Sequence, residues 1–406
     1  MPANPRREIV FINAAHGLTH YCLLILPTAV LAMAITGGAF GGSYGPILAL
    51  ATGMFLLYGI GALPQGWLAA RLGRKTLMST FFLGTGLSMM ATGLATGPVG
   101  LAAGLATIGL FAAIYHPIGT AMLVDAAGDR VGSAVGVNGV FGNLGTALAP
   151  VVTAFLAAHG GWRIAFIAPG ALCTTIGLFW LRERVVNHGM AVGARPFPAI
   201  PPAVVRRAMV VLLLIAAVSG LVFNAFTILL PKLMAERLAG NTSLLPLVGA
   251  LAFLVTLCGA ATQFTVGRHL DRTTLKRVFL PMAFTMVAAL AALSFARGWL
   301  ALPVAGLVAA SVFGQVTVNE TMTARYISPP MRARMYSVRF FVGFLGATVA
   351  APLVGFLDQR TGSVAAVTLV LAAFGLVTLG CALAFPDRPE ELRPLAAAPG
   401  ALAAAE

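Results

Sequence analysis

Gly66-Trp67-Leu68-Ala69-Ala70-Arg71-Leu72-Gly73-Arg74-Lys75 is a basic, glycine-punctuated turn between two long apolar runs. A second version lies 201 positions later, as Gly267-Arg268-His269-Leu270-Asp271-Arg272 with Lys276 and Arg277 behind it. Gly66 maps onto Gly267 and Arg71 onto Arg272. The same offset carries Gly142, Leu144 and Gly145 onto Gly343, Leu345 and Gly346. A repeat of half the chain length, with its loops in register, implies two similar halves.

The runs around these turns set the class. Of the 406 residues 59% are hydrophobic and 9% charged, with a mean hydropathy of +0.92; soluble domains carry about 25% charged residues. Apolar runs near 20 residues recur, the length that crosses a hydrocarbon core about 30 Å thick. The expectation is an all-α membrane protein, since a β-barrel would show short alternating segments. Twelve spans are predicted, near 9–36, 46–70, 76–96, 99–124, 131–157, 163–182, 207–232, 244–267, 277–296, 299–324, 333–357 and 363–385. They form two pseudo-symmetric six-helix halves, 1–182 and 207–390. A linker at 183–206 contains Arg195-Pro196-Phe197-Pro198 and Pro201-Pro202, which break any helix. The Ala- and Pro-rich tail, 391–406, reads as disordered.

The net charge of +14 does not make a nucleic-acid surface, because the basic residues lie between apolar runs at alternate connections. Arg163, Lys232, Arg237, Arg297 and Arg360 fall at the other ends and Arg339 within a span; the rest share the face of both termini. Positive charge stays inside, so both termini are expected in the cytoplasm of a cell with a bacterial-style inner membrane. The first apolar run is too long for a cleavable signal peptide and reads as a retained helix. Cys22, Cys173, Cys258 and Cys381 stand singly in apolar runs and read as packing residues. No Walker loop, HExxH or GxSxG occurs, so neither an enzyme nor a cofactor is expected.

In the turn, Gly66, Leu68, Arg71, Gly73, Arg74 and Lys75 match the pattern G-x-L-x-D-R-x-G-R-[KR], with Ala70 where Asp is usual. On these residues, the span count and the repeat, the chain resembles the major facilitator superfamily. Tyr115-His116-Pro117, Gly142-Asn143-Leu144-Gly145 through Pro150, and His16 and His20 give a finer resemblance to the fosmidomycin-resistance exporters. Tyr21 and Ile118 stand where those exporters tend to carry acids, and Gly104 near the place of an arginine common in drug antiporters. The resemblance implies a monomeric secondary transporter for a small-molecule solute. Spans one, four, seven and ten would line its cavity. It also implies a cytoplasmic latch at Gly66, Arg71, Gly73 and Arg74, with Asp125 supplying the missing carboxylate, and a fuller one at Gly267, Asp271 and Arg272. Charges that only set topology are the alternative.

Ionisable groups within spans are functional candidates by their cost. His16 and His20 are four apart and share a helix face. His20 sits about 16 Å into the first span and His116 at similar depth in the fourth, so the resemblance directs both into one cavity, to bind an anion or relay a proton. His16 reads as a residue joining helices, with a site role as the alternative. Glu320 and Arg339 have matching depths and are expected to pair across helices, or else to carry protons and hold a substrate anion. Asn138, the repeat partner of Arg339, joins Asn143 and Asn224 as cavity candidates. Gly136, Gly139, Gly142 and Gly145 allow either close packing or rocking. The reading is alternating-access transport of a small polar, anionic solute, leaning to proton-coupled export. Alternatives are proton-coupled uptake of an organic acid, transition-metal uptake through His, Met and Cys, and a sensor on a transporter scaffold. Met282 with Met286, and Met331 with Met335, keep a soft metal in view, although no metal site is assigned.

Overall fold

The computed structural model describes residues 5–36, 40, 42–127, 131–185, 200–239 and 245–392. The proline-broken part of the linker at 186–199 and the tail from 393 lie outside the described residues. Among the described residues there is no strand. The elements are α1 (Pro5–Leu23), α2 (Ile25–Thr36), α3 (Tyr44–Ala49), α4 (Thr52–Gly61), α5 (Gln65–Leu72), α6 (Arg74–Gly93), α7 (Pro98–Ala112), α8 (Tyr115–Ala127), α9 (Val131–Leu181), α10 (Pro202–Met234), α11 (Leu245–Leu270), α12 (Leu275–Phe295), α13 (Ala301–Tyr326), α14 (Pro329–Thr361) and α15 (Val364–Ala384).

These elements compose twelve spans, because several spans are broken and one element is double. α9 contains Gly161 at φ 76 and ψ 167, a conformation outside the helical region, and therefore holds the fifth and sixth spans. Proline explains two of the breaks. Pro27 cannot donate to the carbonyl four residues back, and α1 ends at Leu23 before α2 resumes. Pro117 does the same to Ala113, separating α7 from α8 just ahead of Tyr115 and His116. Gly73, at φ 80 and ψ 147, closes α5 and opens α6, and this backbone setting is open essentially to glycine alone.

All spans alternate between the face bearing the termini and the opposite face. The halves meet through glycine near the opposite face. A Cβ on Gly45 of α3 would lie 2.3 Å from the Gly355 oxygen of α14, and one on Gly249 of α11 2.7 Å from the Pro150 oxygen of α9. Within the halves, a Cβ on Gly145 would lie 2.0 Å from the Gly17 oxygen, and at the repeat position Gly346 one would lie 2.7 Å from the Ala217 oxygen. Small residues at these crossings let backbones touch. Gly142 also approaches closely, against His16, whereas Gly136 and Gly139 have nothing within 4 Å.

The hydrophobic core divides in the same way. One large cluster runs through the first half and joins the second half at the ends away from the termini, through residues such as Phe226, Leu251, Val308 and Val354. The second half has a separate cluster at its terminal-face ends, built from Leu212, Leu270, Phe279, Met322, Tyr326 and Phe385. The halves share a core away from the termini and pack independently toward them. Among the described residues, then, no hydrophobic core joins the halves at the terminal face.

Candidate functional site

α1, α8 and α9 converge in the middle of the first half. His16 and His20 stand one turn apart on α1, and His116 leads α8 directly after the break that Pro117 makes. Ring centroids are 5.0 Å apart for His16 and His20, 5.3 Å for His16 and His116, and 5.5 Å for His20 and His116. One nitrogen from each ring lies within 4.8 Å of the others. His16, read from sequence mainly as a residue joining helices, does both: its ring belongs to the trio, and its Nδ1 lies 2.7 Å from the Asn138 backbone oxygen. A carbonyl oxygen only accepts, so Nδ1 carries the hydrogen and Nε2 keeps its lone pair. Neither His20 nor His116 has a hydrogen-bond partner among the described residues.

Asn138 is the hub behind the trio. Its Nδ2 donates to Asn13 Oδ1 and to the Tyr115 hydroxyl, each at 2.9 Å, and that hydroxyl is also 3.1 Å from Asn138 Oδ1. Tyr115 lies nearly parallel to His16, with centroids 4.9 Å apart. Asn13 was not singled out from sequence, although its place three residues before His16 and seven before His20 puts all three on one helix face.

One aromatic of α14 reaches the trio from the other half, and a second reaches its neighbour Tyr58. Phe340 stacks on His116 at 5.9 Å, and Phe344 meets Tyr58 of α4 edge-on at 4.7 Å, with Tyr58 in turn 6.3 Å from His116. The Tyr58 hydroxyl is buried without a hydrogen-bond partner among the described residues. Asn143, at the repeat position of Phe344, also crosses between halves: its Nδ2 donates to Gln263 Oε1 of α11 at 2.6 Å, while Gln263 donates to the Phe313 backbone oxygen at 3.1 Å. Gln263, Tyr58, Phe340 and Phe344 escaped the sequence reading because a lone amide or aromatic in a span carries no periodic signal. Asn224 is not brought to the trio, for its side chain donates to Gly220 of its own helix at 2.8 Å.

Glu320 and Arg339 form the ion pair their depths suggested. The Arg339 guanidinium is buried and also lies 3.5 Å from Thr323 Oγ1, while the Glu320 side chain is 44% exposed. At the terminal face Arg74 pairs with Asp125, the carboxylate expected to stand in for the usual Asp. Arg71 instead lies over the Trp67 ring at 3.9 Å. In the second half Asp271 and Arg272 are exposed and joined by no ion pair to another described residue. Arg325 braces this turn, donating to the Leu270 and Thr273 backbone oxygens. Gly66 and Gly267 have no close neighbour, their nearest being Thr317 at 3.8 Å from a Cβ on Gly267.

The basic residues away from the termini are held locally. Arg163 donates to the Gly93 and Ala95 oxygens at 3.0 and 2.7 Å, closing the end of α6. Lys232 pairs with Asp358 and lies 4.6 Å from the Tyr44 ring of the other half.

This architecture of two six-helix halves around a polar centre is that of a multi-pass membrane transporter. The family model for the Major Facilitator Superfamily matches residues 11–259 and 212–405, and the chain belongs to that family. Its fold is similar to a bacterial homologue of the human lysosomal transporter Spinster, in an inward-facing and occupied conformation. That likeness has a TM-score of 0.73 at 16% identity, covering 94% of this chain and 95% of that one. It is also similar to a D-xylose–proton symporter, with a TM-score of 0.71 at 14% identity over 97% of this chain and 100% of that one. No curated protein sequence matches it significantly.

Proposed function

We propose that the protein moves a small polar, anionic solute by alternating access, with the histidine trio as its binding and proton-exchanging centre. The observation that carries this reading is the convergence of His16, His20 and His116 within one centre contacted by Phe340 from the other half. Imidazoles exchange protons near neutral pH and hydrogen-bond anions, so solute and proton meet at the same groups, which is what coupling requires. The centre lies where rocking of the halves exposes it to either side in turn. Asn143 with Gln263, and Arg339 with Glu320, supply further polar groups along the path. The signature turns, with Arg74, Asp125 and Arg325, serve as the conformational latch. The positive-charge bias supports a bacterial-style inner membrane with both termini in the cytoplasm. The chain acts as a monomer, and export by proton antiport follows the finer resemblance carried by His116-Pro117 and Gly142 to Gly145.

The experiment is flux in proteoliposomes under an imposed pH gradient, with small organic anions and phosphonates as solutes. Antiport predicts solute movement accelerated against the proton flow. His116→Ala should slow coupled flux by at least tenfold while sparing solute-for-solute exchange. Unchanged proton flux in that variant removes the trio from coupling, and gradient-independent flux replaces the antiporter with a uniporter or exchanger.

A further inference from the structure

We infer that His16, His20 and His116 form a binding site for one divalent transition-metal ion of the zinc type. Metal–imidazole bonds are about 2.0–2.1 Å, which places the nitrogens of a tetrahedral site roughly 3.4 Å apart. One nitrogen from each ring already lies within 4.8 Å of the other two. Closing the site shortens those separations by at most about 1.4 Å.

Three further features favour an ion over packing. The Nδ1–H of His16 is held by the Asn138 backbone oxygen at 2.7 Å, the kind of outer bond that fixes the tautomer and ring plane of a metal-ligating histidine. His20 and His116 keep ring nitrogens that no described residue engages, which leaves each a lone pair for an ion. A Cβ on Gly142 would lie 2.6 Å from His16 Cε1 and Nε2, so that ring is confined beside α9.

The donor set also selects the ion. All three ligands are imidazole nitrogens, which suit Zn²⁺, Ni²⁺, Co²⁺ and Cu²⁺. The thioethers that would favour a softer ion are elsewhere: Met286 Sδ accepts from Gln315 at 3.3 Å, and Met282 lies against Gly314. Three histidines leave a fourth tetrahedral position open. No carboxylate belongs to the donor set, so the two positive charges of the ion favour an anion in that position. A nitrogen that holds the ion cannot hold a proton, so protons and the ion compete for the trio; only the step in which the anion is the transported solute rests on the transport reading above.

Metal-stripped full-length protein in detergent, titrated with Co²⁺, provides the test. The expected result is one Co²⁺ per chain with the intense visible d–d bands of tetrahedral cobalt, displaced by Zn²⁺, and a melting temperature raised by several degrees with saturating Zn²⁺. His20→Gln and His116→Gln should each weaken binding by more than the ~10–100-fold that loss of an outer-shell partner costs. His159→Gln, at an exposed ring far from the trio, should leave the bands unchanged. Absence of bands at millimolar Co²⁺, or bands surviving both trio variants, overturns the site. If either variant fails to fold, X-ray absorption of the Zn²⁺-loaded native protein decides: three imidazole ligands support the site and fewer overturn it. Binding is read without flux, so this site and the transport reading fail separately.

Discussion

At Asn138 a single side chain ties three elements together. It bonds Asn13 on α1 and Tyr115 on α8 from its own place on α9, and its backbone oxygen orients His16. Such bonds join helices where lipid offers no alternative partner. Arg339 occupies the repeat position of Asn138 and solves the same problem with an ion pair to Glu320. The buried guanidinium needs its partner more than the half-exposed carboxylate does, and solvent at Glu320 screens part of the attraction. Glu320→Ala and Arg339→Ala should therefore couple by about 0.5–3 kcal/mol, toward the lower end. The check is thermal unfolding of both single variants and the double variant, which should lose less than their sum. Strict additivity would show that the two side chains act separately.

Among the helices, the signature turn shows that glycines alike in sequence do different work. Gly73 adopts φ 80 and ψ 147 between α5 and α6, whereas Gly66 lies within α5 with nothing within 4 Å of a Cβ. Gly73→Ala should cost about 1–3 kcal/mol through backbone strain. Gly66→Ala should be neutral, or stabilising by up to about 1 kcal/mol, since alanine favours the helix. Equal melting temperatures for the two variants would contradict this division. The break that Pro117 makes has a comparable effect on the site. It separates α7 from α8 just ahead of Tyr115 and His116, the two α8 residues whose rings meet His16.

For the molecule as a whole, the decisive feature is the shared core away from the termini. Gly45 and Gly355 close it with backbone against backbone, so even one methyl group must push the halves apart. Gly45→Ala should cost the closed arrangement about 1–3 kcal/mol as overpacking does. It should also open a route to residues now enclosed between the halves. Thr227, which is buried near α2 and α9, provides the reporter. With the exposed Cys258 replaced by Ser, Thr227→Cys should react with a maleimide severalfold faster in the Gly45→Ala background. Equal labelling rates would show that this contact does not hold the halves together.

The sequence alone determined the class, the twelve spans and the two halves, because hydrophobic length and charge between spans are local quantities that accumulate along the chain. It also paired Glu320 with Arg339, since both depths could be counted from helix ends, and it proposed the meeting of His20 with His116 through family resemblance. Tertiary structure decided what depends on rotation about helix axes and on packing between helices. It brought His16 into the trio, turned Asn224 back onto its own helix, and gave Asp125 to Arg74. It also supplied Gln263, Tyr58 and the α14 aromatics as contacts across the halves. A helix's depth follows from rise per residue, but which side chain faces which neighbour follows from contacts made by residues far apart in the chain. Those contacts, from the Gly145 crossing to the bonds of Asn138, set the centre.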